Sequence, residues 1–148
     1  MRRTLRAAYV IALIAAVAWL VIPNVLLARS RSRQKRTLAD MRTIATAWEA
    51  RATDFNTYFF GRNHGPRFTI EEMAAALEPT YVRHMPRTDG WETEFQFTAS
   101  EDGYIIRSLG SDARIDRIPT IASGATTDFA DDVIYSNGSF IRYPEGIL

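Results

Sequence analysis

From Ala7 to Ala28 the chain is apolar, with no ionisable side chain except Tyr9. As a helix this run spans roughly 33 Å, enough to cross a bilayer. A second pattern follows it. Leu38, Met41, Ala45, Trp48, Ala52 and Phe55 recur at spacings of three and four, which aligns them on one stripe of a helix and assigns that stripe to a core. No glycine separates the two patterns, and Pro23 is tolerated as a kink inside a helix in lipid. A single helix is therefore expected to continue from the apolar run to about Thr57.

Beyond it, "FFGRNHGPRF" (Phe59 to Phe68) reads as a loop, with two glycines and a proline. "TIEEMAAALEP" places Thr69 as N-cap with Glu72 three residues on and Pro79 as terminator, predicting a short helix over about 69–78. "TYVRHMPRTDGW" is irregular. The period then changes to two: "TEFQFTA" and "YIIRSLG" flank Asp102-Gly103 as one hairpin, and "VIYSNGSFIRY" holds Asn137-Gly138, a type I′ signal, as another. The Asn137-Gly138-Ser139 sequon is a by-product of that turn. Ser111 to Asp132 shows no convincing element and reads as a long loop. The expected fold is α+β: an anchor over residues 1–28, a domain over 29–148 whose first helix (29–57) continues the anchor, and an antiparallel sheet of three or four strands over about 93–143.

Charge sharpens this division. Residues 1–36 carry eight basic side chains and no acid, whereas all seventeen acids lie beyond them against ten Arg. An acidic domain gains nothing from phosphate, so the basic residues read as membrane-flanking and nucleic acid is excluded as a partner. Arg2, Arg3 and Arg6 would also suit a signal peptide, but the apolar run is long for one and Leu26-Leu27-Ala28 is a poor cleavage site. An uncut anchor is the reading. Three basic residues precede the span and Arg29, Arg31, Arg33, Lys35 and Arg36 follow it, which taken literally favours a cytoplasmic domain. With no cysteine, disulfides, thiol nucleophiles and zinc clusters are excluded.

Three pieces of the chain resemble the major pseudopilins of bacterial type II secretion, general secretion pathway protein G, within the type IV pilin-like superfamily. They are "IPNVLLARSRSRQKRTLADMRTIATAWEA", "SLGSD" and "TDFADDVIYSNG". The resemblance implies a structural subunit whose N-terminal helix packs with other pseudopilins and with inner-membrane secretion components in a bacterial inner membrane, its domain on the periplasmic side. The family's orientation is preferred over the charge count, because the five basic residues belong to a helix that continues into the domain. One departure stands out. Members are cut after a glycine before phenylalanine and carry a glutamate soon after; alignment on Pro23 puts Arg2 and Arg6 there, and alignment on Thr4-Leu5 puts Ala7 at the glutamate. A buried carboxylate in such a filament is offset by a neighbour's amine, and Arg6 would add like charge instead. The expectation is a chain that prepilin peptidase does not cut. An alternative is a single-pass pilin-like protein that never polymerises and binds a partner or ligand.

Asp112, Asp116, Asp128, Asp131 and Asp132 fall in one irregular segment. By composition they solvate a loop; the resemblance implies instead a structural calcium, a cation that takes six to eight oxygens. Carried over by motif, Asp112 and Asp132 are the side-chain ligands, Leu109 offers its carbonyl, and Asp128 and Asp131 follow, while Asp116 matches no motif position. Arg114 and the lack of a closing glutamate rule out an EF-hand. His64 and His84 have no third ligand for zinc. Asp131-Asp132, adjacent on an extended segment, point to opposite faces and suit acid/base catalysis poorly. No nucleophile elbow, phosphate loop or dinucleotide fingerprint occurs, so no enzyme is expected.

Overall fold

The computed structural model describes residues 2–60, 65–100, 103–116 and 123–146, with side chains from residue 12 onward. Helix α1 runs from Arg2 to Phe55 with Pro23 inside it, ending two residues before the expected Thr57. The chain divides into two compact units, Met1–Ser32 and Arg33–Leu148.

In the first unit α1 exposes its apolar side chains: Trp19 is 85% and Leu20 70% exposed, with Leu13, Ile14, Val17 and Leu26 each more than half exposed. This is a helix long and apolar enough to cross a membrane. Pro23 has no N–H, which leaves the carbonyl of Trp19 without its helical donor. One residue on, the Asn24 side-chain amide donates to the carbonyl of Leu20 at 3.1 Å, so part of the Pro-Asn join is satisfied within the helix.

In the second unit the stripe on α1 is the floor of the core. Leu38, Met41, Ala45, Trp48 and Ala52 are buried, and Ile44, Ala47, Thr37 and Gln34 widen the stripe. Phe55, expected to join them, is 60% exposed, with the Arg51 guanidinium 4.6 Å from its ring centre. The reason lies in the turn that follows. Asn56 adopts a left-handed conformation, the chain doubles back, and Tyr58 and Phe60 fill the space instead. Trp48 Nε1 donates to the carbonyl of Tyr58 at 3.0 Å, and the Phe60 ring lies edge-on to Trp48 at 5.8 Å.

Helix α2 (Ile70–Leu77) forms as expected, with a complete capping box between Thr69 and Glu72 and with Ile70, Met73, Ala74 and Leu77 buried at helical spacing. The sheet has six strands where three or four were expected. β1 (Arg67–Phe68), β2 (Gln96–Ser100), β3 (Gly103–Ser108), β4 (Gly124–Thr126), β5 (Val133–Ser136) and β6 (Ser139–Pro144) lie in the order β1-β2-β3-β5-β6-β4. All neighbours are antiparallel except β4 on β6, which is parallel. The two extra strands come from segments read as loops. Each is two or three residues long, too short to carry an alternating pattern of its own, and each exists only because a neighbouring strand offers hydrogen bonds. The β2–β3 and β5–β6 hairpins form as read; Asn137 and Gly138 both have positive φ, as a type I′ turn requires. Residues 101–102, which include the expected Asp102 turn, lie outside the described residues.

On the core face Phe97, Tyr104, Ile106 and Val133 meet α1. Trp48 sits among Phe60, Phe68, Phe97 and Tyr104. The Tyr104 hydroxyl donates to Glu49, and burial together with that carboxylate holds the phenol far above its usual range.

The irregular segment before β2 is pinned by Asp89, 1% exposed. Its Oδ1 accepts from the N–H groups of Trp91 and Thr93, and its Oδ2 accepts from Ser108 at 2.6 Å. Beside it, Gly90 N–H donates to Thr37 on α1 at 2.9 Å.

Together these describe a long N-terminal apolar helix followed by a mostly antiparallel sheet, a pilin-like architecture.

Candidate functional site

The acidic segment collects on the sheet face opposite α1, and the strand register explains why. Arg107 on β3 pairs with Ile134 on β5, and Ile134 pairs with Arg142 on β6. Directly paired residues of antiparallel strands share a face, so the two arginines flank Ile134. Ile134 is 2% exposed yet belongs to no part of the core under α1. The segments around Asp116 and Asp131-Asp132 gather above it.

One turn and one pair of hydrogen bonds bring those segments together. Gly110 of "SLGSD" opens a 3₁₀ turn (Gly110–Asp112) with φ +65°, and a Cβ there would lie 2.8 Å from the carbonyl carbon of Ala130. Only glycine permits both the backbone angle and the approach. Ser111 N–H then donates to the carbonyl of Phe129 at 2.8 Å. Further along, Asp116 and Asp132 bond reciprocally: Asp116 N–H donates to Asp132 Oδ2 at 3.2 Å, and Asp132 N–H to Asp116 Oδ2 at 3.0 Å.

The guanidinium groups complete the arrangement. Arg142 Nη1 lies 2.9 Å from Asp116 Oδ2 and Nη2 2.7 Å from Asp131 Oδ2, while Arg107 Nη1 lies 3.6 Å from Asp132 Oδ2. Asp131 also accepts from the Thr126 hydroxyl on β4. Burial opposes ionisation of Asp131, but the hydrogen bonds from Thr126 and Arg142 and the charge of Arg142 outweigh it and lower its pKa. Asp132 goes the other way. It is 1% exposed and its Oδ1 has no hydrogen-bond partner among the described residues. Burial, with the neighbouring Asp116 charge, pushes its pKa up to about 6 against the pull of the Asp116 N–H and the two arginines.

Of the residues carried over as ligands, the structure brings Asp131 and Asp132 into this network and leaves Leu109, Asp112 and Asp128 at its margin. Asp112 is exposed and its Oδ1 accepts from Arg114 N–H at 3.0 Å; Asp128 is exposed and accepts from Ala130 N–H at 2.9 Å. Leu109 is buried ahead of the 3₁₀ turn. Asp116, which matched no motif position, is a central member. Arg107 and Arg142 were missed entirely. A signal did exist: each is a cation within a β-branched run of an otherwise acidic domain, in "YIIRS" and "FIRY".

This donor set, as arranged, does not fit calcium. Among the described residues no group of three His, Cys, Asp or Glu is placed to hold a metal ion, and the carboxylates that converge do so on guanidinium groups. Beside this network, with Arg107 and Asp116 in its wall, an open groove of about 860 Å³ crosses the outer face of β1, β2 and β3, lined also by Arg67, Gln96, Ile105 and Ile115. His84 is exposed, and His64 lies outside the described residues. Comparison of the chain with protein-family models, with curated proteins and with solved structures finds no match.

Proposed function

We propose that this chain is a membrane-anchored, pilin-like structural subunit of a type II secretion apparatus, assembling with other subunits through the apolar part of its N-terminal helix. The observation that carries the reading is the two-part character of α1. Its first part exposes Leu13, Ile14, Val17 and Leu20, and its second part buries Leu38, Met41 and Trp48 under a sheet. An exposed apolar helix in lipid has no hydrophobic reason to find another helix, so association there rests on close packing between helices. A subunit of this kind supplies such a packing surface from the apolar part and an outer surface from the domain.

A second reading, a single-pass protein that does not polymerise and binds a partner, draws support from the open groove beside Ile105 and Ile115, which are 37% and 53% exposed. The two readings part on helix contacts. The native chain has no cysteine, so Ile14→Cys together with Leu20→Cys introduces the only thiols, on different faces of the helix. Oxidation of the full chain in membranes is expected to give a ladder of cross-linked oligomers. A product that stays monomeric at all expression levels, with both thiols reactive to maleimide, would overturn the subunit reading and leave the second.

A further inference from the structure

The acidic segments that the resemblance assigns to a metal ion carry their own cation. Asp116 and Asp131 share the two nitrogens of one guanidinium, that of Arg142, at 2.9 and 2.7 Å. The Arg142 side chain is 14% and the Arg107 side chain 15% exposed, so each of the three pairs is at least partly withdrawn from solvent. Arg142 is also held from behind: in β6 it pairs with Ile134 of β5 on one side and Gly124 of β4 on the other. Its backbone is therefore fixed in the sheet beneath the two aspartates. We propose that Arg142 is a built-in counter-ion that closes the acidic C-terminal segments onto the sheet without a divalent cation, and that its charge keeps those aspartates from taking one up.

Three further features agree. Arg presents a rigid fork whose charge does not depend on pH or on metal supply, and two carboxylates from separate segments occupy its two arms. One oxygen of each carboxylate is already committed: Asp116 Oδ2 to Asp132 N–H and Arg142, Asp132 Oδ2 to Asp116 N–H and Arg107, Asp131 Oδ2 to Arg142 and Thr126. Of the other three oxygens, Asp132 Oδ1 is buried without a partner among the described residues, and three oxygens fall short of the six to eight that calcium takes. Finally, three carboxylates face two guanidinium groups, so the cluster is nearly neutral as it stands. Removing Arg142 alone leaves three carboxylates against Arg107, the excess of negative charge a divalent cation would balance.

The test uses the full chain in detergent micelles, with thermal unfolding followed by near-ultraviolet circular dichroism in millimolar calcium and in chelator. The wild-type midpoint is expected to be the same in both, within about 1 °C. Arg142→Gln is expected to lower the midpoint in chelator by about 10 °C, the scale of breaking one side of a buried ion pair, and to regain several degrees in calcium. Arg142→Lys should fall between the two and stay insensitive to calcium. A wild-type midpoint that rises with calcium would overturn the proposal. So would an Arg142→Gln midpoint in chelator within about 2 °C of wild type, or an Arg142→Gln loss that calcium does not touch. If Arg142→Gln does not fold, Arg142→Gln combined with Asp131→Asn removes the repulsion left behind. That double variant is expected to fold and to ignore calcium, and its failure to fold would count against a charge-balancing role.

Discussion

Replacing Gly90 by Ala tests how tightly the domain is locked to its helix. Gly90 has no positive φ that would demand glycine, so any cost is steric. A Cβ built there collides with the Arg33 carbonyl oxygen and lies 2.7 Å from its carbonyl carbon and 2.8 Å from its Cα. All three are backbone atoms of α1, which cannot rotate away as a side chain would. Either the helix shifts or the Asp89-Gly90 turn does, and a shift of the turn breaks the 2.9 Å hydrogen bond from Gly90 N–H to Thr37. Overpacking of this kind costs about 1–3 kcal/mol and the lost hydrogen bond about 1 kcal/mol, against a gain of roughly half a kcal/mol from the stiffer unfolded chain. The net is about 1.5–3.5 kcal/mol, which for a domain of this size lowers the unfolding midpoint by about 6–14 °C. Gly65→Ala is the control. Among the described residues nothing lies within 4 Å of its Cβ position, so only the unfolded-state gain remains and the midpoint should hold or rise slightly. Thermal unfolding of the full chain in micelles reads both. A Gly90→Ala midpoint within about 2 °C of wild type would refute the steric reasoning.

Two other perturbations follow from the same structure. Asp132, buried with a pKa raised to about 6 from the ordinary 3.8, binds its proton more tightly folded than unfolded. Stability therefore falls as pH rises from about 4 to about 6, by roughly 2–3 kcal/mol for this group. Denaturant unfolding across that window should show the fall in wild type and a flatter profile in Asp132→Asn; equal slopes would refute it. Asp40, also raised by burial despite Arg36, adds a fall of the same sign to both proteins and cancels in the difference. Trp48→Ala removes a ring 0% exposed, packed among four aromatic neighbours and donating to Tyr58. It should cost about 3–5 kcal/mol, read as a lost or strongly lowered unfolding midpoint, whereas a loss below about 1 kcal/mol would place the core elsewhere.

The local elements of this chain are written in its residues. The apolar run to Ala28, the stripe from Leu38 to Ala52, the Thr69–Glu72 box and the Asn137-Gly138 turn each act within a few residues, through periodicity, capping or backbone angle. The acids of "SLGSD" and "ADDV" were equally visible as a candidate site, but their partners were not. Whether Asp131 meets a metal ion, water or an arginine depends on Arg107 and Arg142 standing either side of Ile134, a matter of register among strands from different parts of the chain. The same holds for β1 and β4, too short to signal themselves, and for Phe55, displaced to the surface when Tyr58 and Phe60 turned back onto Trp48. Sequence alone determined the two helices, the two hairpins and how much charge each segment carried. Tertiary structure decided which charges met, because pairing energy depends on distances that only the assembled sheet sets.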